Sequence, residues 1–313
     1  MKVLGIFTGR SGSTSEWMTK AALSGAAEQG VEIEAINLRD LNIKPCSGCN
    51  ACVMSLTTGR GPVCTIKDDL AFVTGKIRSA DGLIVLSPMY EKTPPSEFKA
   101  MCDRMGPGHD VAMLGLNNML AKKNGTPEKL APDNAFRTRP VAFISHGGSE
   151  WTTLGLPVMS LFSISQGMKI CNLLDIQWDI LSILNDEVIE KLKAVGRSVA
   201  ENCGKAGEDI VYCGPKGLCP MCHNRTFLAD ETGNGVTCSV CGIHGTLGLD
   251  DNGNIRVDFS PEELAHSHVT MSGKQIHAQD LGSFAGKIMA ADQNEIKRRQ
   301  QKLLAVVKNS KPQ

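Results

Sequence analysis

The chain has 313 residues, with 33 basic and 33 acidic side chains and a formal net charge of zero. That length points to about two domains with ample sequence for a buried core, and 42% hydrophobic with 21% charged residues is ordinary for a globular protein in water. Balanced charge excludes a broad basic field for nucleic acid or anionic lipid. No apolar run is long enough to span a membrane, because Gln166, Lys169 and Asp175 interrupt the richest stretch, 154–184. The apolar start, Met1 to Phe7, is too short for a signal peptide before Arg10. A cytoplasmic address is expected, where the twelve cysteines hold metals or do redox work more readily than they form disulfides.

In chain order, Lys2–Phe7 reads as a strand, 14–29 as a helix and 31–37 as a second strand. Between the first two lies Thr8-Gly9-Arg10-Ser11-Gly12-Ser13-Thr14-Ser15. Hydroxyls, small residues and free N–H groups ahead of a helix suit a phosphate cradle with Arg10 adding charge, or else a serine–glycine turn with an N-cap. The spacing matches neither the dinucleotide fingerprint nor the Walker loop, so a monophosphate is the better-fitting ligand. Next come Cys46-x2-Cys49-x2-Cys52 and then Cys64, just ahead of Asp68-Asp69 and a helix over 68–79. Thiolates two residues apart point at one metal from a single turn.

The nearly all-apolar run 82–87 marks a strand buried on both faces, and 141–145 repeats that signature, with 170–176 a weaker copy. A helix over Asp186–Asn202 closes this region. Alternating strands and helices predict a doubly wound parallel α/β sheet with helices on both faces. Segment 106–139, rich in glycine, proline and asparagine, breaks the rhythm and is expected to be an insertion serving as a lid or partner surface. Two further loops follow predicted strands: Ser87-Pro88-Met89-Tyr90, and Ser145-His146-Gly147-Gly148-Ser149-Glu150-Trp151. Ligands bind at such strand ends, and a proline-stiffened turn with an aromatic, facing a glycine pair, suits a flat heteroaromatic ring.

A second cluster, Cys219-x2-Cys222 and Cys238-x2-Cys241, has the two-knuckle spacing of a zinc ribbon, with a rubredoxin-type iron as the other candidate metal. His223 and His244 stand beside knuckles already filled by four cysteines. The segment 213–259 has too few apolar residues to fold without its metal. His266, His268 and His277 are ordinary surface or packing residues, or a further metal set. The tail over 290–308 reads as a helix with one apolar stripe that packs on the body or on a second subunit. Cys102, Cys171 and Cys203 sit among apolar neighbours as core residues. Three parts are therefore expected: 1–211, a ribbon over 212–259, and a helical tail over 260–313.

The Gly5-to-Ser15 loop, the Ser-Pro-x-Tyr turn and the cysteine loop ending Cys64-x3-Asp68-Asp69 together resemble the NAD(P)H-dependent FMN reductases, and most closely their iron–sulfur flavoprotein branch, over residues 1–205. The resemblance implies a flavodoxin-like, five-stranded sheet that binds FMN. Arg10, Ser11, Ser13 and Ser15 would hold the FMN phosphate. Ser87, Pro88, Met89 and Tyr90 would run beside the ribityl chain and ring edge, while Gly147 and Gly148 offer N–H groups to the pyrimidine side. The first loop is one residue shorter than the usual Gly-Ser-Pro-Arg form and lacks its proline. In that branch a compact run of four cysteines holds a [4Fe–4S] cluster, here Cys46, Cys49, Cys52 and Cys64, although the eleven-residue gap to Cys64 is longer than usual. A zinc-binding or packed thiol loop is the plainer alternative, and a redox dithiol fits less well because only Lys44 is a nearby base. The expected activity moves electrons between NAD(P)H, or an iron–sulfur donor, and a small conjugated substrate such as a quinone. His146 and Tyr90 are the candidate proton donors. The alternative is an electron carrier between a ferredoxin-like donor and a partner enzyme, and the resemblance favours a homo-oligomer.

Overall fold

The computed structural model describes residues 1–177 and 181–310, without the side chains of 281, 282, 284–286, 288 and 289. Residues 178–180 of the first expected part and 311–313 of the tail lie outside this description. The chain runs β1 (Lys2–Phe7), α1 (Thr14–Ala27), β2 (Glu32–Asn37), α2 (Ala51–Leu56), α3 (Leu70–Ser79), β3 (Gly82–Pro88), α4 (Ser96–His109) and α5 (Val111–Lys123). It continues through β4 (Pro140–Gly147), α6 (Gly155–Ser165), β5 (Lys169–Gln177) and α7 (Asp186–Asn202). These strands form one parallel sheet in the order β2-β1-β3-β4-β5, the flavodoxin-like α/β arrangement expected from the sequence. The register pairs Phe7 with Leu86 and Pro88 with His146, so the loops after β1, β3 and β4 leave along one edge.

Both faces of β3 and nearly all of β4 are buried, which explains their unbroken apolar runs. On one face, Leu4, Ile6, Leu83 and Phe143 pack against α3, α4 and α6 through Val73, Met101 and Phe162. On the other, Val3, Ile84 and Ile144 meet α1 and α7 through Met18, Leu23, Val195 and Val199. Helix α7 shows the strongest amphipathic pattern of the sheet-covering helices, and Asn185 caps its first turn by accepting from Glu187 and Val188 N–H.

Segment 106–139, expected as an insertion serving as a lid or partner surface, is helical over most of 106–123. Its first residues finish α4, with Pro107 inside the helix, and α5 follows directly from its N-cap Asp110. Asn117, fully buried, accepts from Gly61 N–H and donates to the Lys129 carbonyl, while Leu114, Ala131 and Ala135 pack with Leu56 of α2. The segment thus braces the cysteine loop. Its glycines lie within helices and turns, where tertiary packing overrides their low helical propensity.

The second part is an antiparallel sheet, β6 (Phe227–Ala229), β7 (Gly235–Cys238), β8 (His244–Leu249) and β9 (Ile255–Asp258). Helices α8 (Pro261–His266), α9 (Met271–Ala290) and α10 (Gln293–Leu304) follow. Leu303, Leu304, Val306 and Val307 are exposed, so the expected apolar stripe does not pack on the body. No helix among the described residues is long and apolar enough to cross a membrane.

Candidate functional site

The three loops at the sheet edge converge on a cradle with unfilled hydrogen-bonding capacity. The hydroxyl oxygens of Thr8 and Ser13 are buried without a partner, an arrangement that costs free energy unless a ligand completes it. Asn37, at the end of β2, exchanges hydrogen bonds with the Gly9 backbone at 3.3 and 2.9 Å and holds the loop open. A Cβ at Gly9 would lie 2.4 Å from Ser13 Oγ, so only glycine lets the loop close over α1. The N–H of Gly12 is occupied by Glu16 Oε2 at 2.7 Å, showing that this helix terminus already attracts an anionic group. Orphaned hydroxyls, free N–H groups and the helix N-terminus fit the phosphate of FMN. Arg10 and Ser11 stand exposed on the rim.

His146, at the end of β4, is buried and its Nε2 lies 2.9 Å from Ser15 Oγ. Burial pushes its pKa down to about 4, so at neutral pH the ring is uncharged and fixes the Ser15 hydroxyl. The Ser87 hydroxyl donates to the Pro88 carbonyl, and Met89 N–H donates to the His146 carbonyl at 2.9 Å, tying the β3 loop to β4. Tyr90 is 58% exposed and faces solvent at the turn closed by its pairing with Thr93. Gly147 and Gly148 lead to Trp151, over whose ring Lys92 stands at 5.9 Å. Sequence reasoning missed Asp175 on β5. Its carboxylate accepts from Ser145 Oγ at 2.5 Å and Thr152 Oγ1 at 2.7 Å, anchoring both ends of the glycine loop. Nothing in the spacing of these residues announces that contact.

Cys46, Cys49, Cys52 and Cys64 line a separate cavity of about 400 Å³ along α3 and the second half of α4. It shares no lining residue with the three flavin loops. A buried ion pair closes it: Arg104 donates to Asp68 at 2.7 Å and to the carbonyls of Lys44 and Ile66. Arg104 Nε is buried without an oxygen partner, and Asp68 first, with Cys64 adding to it, raises the pKa of the Arg104 guanidinium. Cys49 is pushed down to about 7 by the Ala51 N–H at the start of α2 and by the Thr65 and Ser47 hydroxyls. The base missing near this loop in sequence is therefore supplied from α4, and the thiol is tuned chiefly by backbone.

The ribbon cysteines meet as the spacing predicted. Their four sulfurs lie within 4.8 Å of one another, with Cys219–Cys241 and Cys222–Cys238 each 3.5 Å apart. A tetrahedral thiolate site with a metal–sulfur bond of about 2.3 Å has edges of about 3.8 Å, so this is a four-cysteine metal-binding site. Hydrogen bonds to Cys219 first, then to the rest of the set, push Cys222 up and Cys238 down. Such shared protons give way to a cation at the centre. His223 stacks on Tyr212 at 3.8 Å, while exposed His244 lies 3.2 Å from Thr237 Oγ1, so neither belongs to the four-sulfur set. The fully buried Ser267 hydroxyl contacts Cys241, and His268 N–H donates to the Cys241 carbonyl at 3.0 Å. The chain after the ribbon thus packs onto its metal knuckle. The rings of His268 and His277 meet at a tilt of 46°, with centroids 5.1 Å apart, on this segment.

A five-stranded flavodoxin-like sheet with a phosphate cradle at its C-terminal edge defines an FMN-binding oxidoreductase. The chain belongs to the NADPH-dependent FMN reductase family, whose model matches residues 1–178, and it is an FMN-dependent NAD(P)H oxidoreductase. It is 29% identical over 299 residues to the flavone synthase cfoJ of Aspergillus candidus, covering 90% of this chain and 88% of that one. An iron–sulfur flavoprotein of Methanocaldococcus jannaschii is 36% identical over 108 residues, 34% of this chain and 53% of that protein. Among solved structures, a flavone reductase superposes over 100% of both chains with a TM-score of 0.86 at 28% identity.

Proposed function

We propose that this enzyme reduces, or in reverse forms, the carbon–carbon double bond conjugated to the ketone of a flavone-type heterocycle. The balance is flavone plus NAD(P)H and a proton giving flavanone and NAD(P)⁺. The observation that carries the reading is likeness along the whole chain, ribbon and tail included, to proteins named for acting on flavones. A flavin module alone would leave the substrate open.

When bound, FMN supplies the hydride chemistry that links nicotinamide to substrate. The chain's own groups do the rest. Thr8, Ser13 and Ser15 would hold the phosphate, and His146 holds Ser15 in place. Asp175 fixes the glycine loop, which would offer N–H groups to the ring. Tyr90, exposed in the loop after β3, would give a proton to the substrate carbon or oxygen. His146 is too buried and too weakly basic for that task.

For the metals, zinc suits the ribbon because four closed thiolates in a tetrahedron make a structural site. The loop set Cys46, Cys49, Cys52 and Cys64 would hold a [4Fe–4S] cluster that supplies single electrons. Support for this comes from the likeness to iron–sulfur flavoproteins; the four thiols line one cavity but, unlike the ribbon cysteines, do not stand as one ligand group before a cluster is bound. Metal and acid-labile sulfide analysis should return one zinc and four iron with four sulfide per chain. Iron without sulfide would remove the cluster.

Anaerobic protein carrying FMN, mixed with NADPH, should lose its flavin bands and regain them on addition of a flavone, with a product two mass units heavier. Recovery with quinones alone would replace the flavone reading by a quinone reductase.

A further inference from the structure

A cavity of about 550 Å³ lies between α4, α6, the ribbon and α9, within the range of about 300–1,000 Å³ typical of small-molecule sites. None of its lining residues belongs to the three flavin loops. Leu161, Met113, Val158 and Ile164 give the accessible apolar lining, while Phe98 and Phe162, edge to face with centroids 6.3 Å apart, are themselves buried. The charged lining side chains cancel in pairs. Lys99 meets Asp103 at 2.5 Å, and Lys274, only 7% exposed, meets Asp110 at 2.5 Å. A charged ligand would find no free counter-charge and would lose its hydration. The imidazoles of His268 and His277 remain to accept or donate a hydrogen bond. His268 is held by the metal knuckle through its bond to Cys241, and Val240 of the same knuckle lines the cavity.

We propose that this cavity binds a neutral, flat, hydroxyl-bearing aromatic molecule, at a site separate from the flavin and walled in part by the ribbon. Apolar rings would lie against Leu161, Met113, Val158 and Ile164, with the hydroxyl on the histidine pair. The ribbon then has a task beyond its own folding, because its metal sets the position of one wall. The flavin reading and this site are independent, since a ligand here need not be reducible.

The test uses FMN-loaded protein without NADPH and 4-phenylphenol, a biaryl phenol with no bond that a flavin hydride reduces. Titration calorimetry should give one site per chain, with biphenyl-4-carboxylate bound at least about tenfold more weakly. Leu161→Trp, filling the mouth, should weaken 4-phenylphenol by about tenfold or more while leaving FMN content and NADPH oxidation unchanged. His277→Ala, at an exposed position, should weaken the phenol about threefold or more and leave plain biphenyl unaffected. Absence of binding, binding indifferent to Leu161→Trp, equal binding of the carboxylate, or loss of binding when FMN is removed would each overturn the proposal. None of these results bears on whether the enzyme reduces flavones.

Discussion

Ser13 sits at a helix start without capping it. Its backbone is extended as an N-cap requires, yet its hydroxyl makes no cap bond and, like that of Thr8, is buried without a partner. A hydrogen bond to a doubly charged phosphate is worth about 1.5–3 kcal/mol. Ser13→Ala should therefore weaken FMN about tenfold to a hundredfold, read by quenching of flavin fluorescence, with little change in the stability of the flavin-free protein. Tyr90 and His146 were both candidate proton donors by sequence. Exposure separates them: the tyrosine reaches solvent, whereas the histidine is spent on Ser15. Tyr90→Phe should lower substrate reduction about a hundredfold, within the usual range for a general acid, and leave the rate of flavin bleaching by NADPH unchanged. Equal loss in both half-reactions would remove Tyr90 from the proton step.

The helix pair α1 and α7 shows how small residues set the layer spacing. A Cβ at Gly196 would lie 1.8 Å from the Ala22 carbonyl, and one at Gly25 would lie 2.1 Å from that of Lys193. Backbone touches backbone here, so Gly196→Ala should destabilise the protein by about 3 kcal/mol or more, at the upper end of overpacking costs. Chemical denaturation with and without FMN would show the loss, and α1 carries the phosphate cradle at its start, so FMN affinity should fall with it. A different device holds the cysteine loop. Arg104 from α4 and Asp68 before α3, both with buried side chains, close a loop that α2 and α5 brace from the other side.

The appended ribbon is continuous with the flavodoxin core. Cys219, Val240 and Ile243 belong to the same buried cluster as Leu4, Phe143 and Phe162, so metal binding and body packing support each other. Stability should also depend on pH through buried imidazoles. Burial holds His146 and His109 down at about 4, whereas an unfolded histidine titrates near 6.5. Between those values the unfolded chain binds more protons, so their contribution is complete above about pH 6.5 and falls away as the pH drops towards 4. The loss is about 3 kcal/mol for each histidine at pH 4. Denaturant midpoints should therefore decline across that window, and His146→Gln should remove part of the slope. A flat profile would contradict the buried, neutral assignment.

Much of this was legible from local pattern. Apolar runs located β1, β3 and β4, because a strand covered on both faces admits few polar residues. Cysteines two residues apart announced the ribbon site, since a single turn aims both thiols. The hydroxyl loop ahead of α1 marked the place where Thr8 and Ser13 keep buried, unpartnered hydroxyls. What local pattern could not carry were contacts closed across long stretches of chain. Arg104 with Asp68, Ser145 and Thr152 with Asp175, and His146 with Ser15 leave no periodic trace, because each partner satisfies its own element's pattern whether or not the other is present. The helical nature of 106–139 was hidden for a related reason: its glycines and proline report intrinsic preference, while burial of Leu114 and Asn117 against the cysteine loop decides the outcome. Sequence by itself determined the sheet and the four ribbon cysteines, which depend on neighbours in the chain. Only tertiary packing decided which side chains stay free to react, since burial and partnership arise from elements brought together in space.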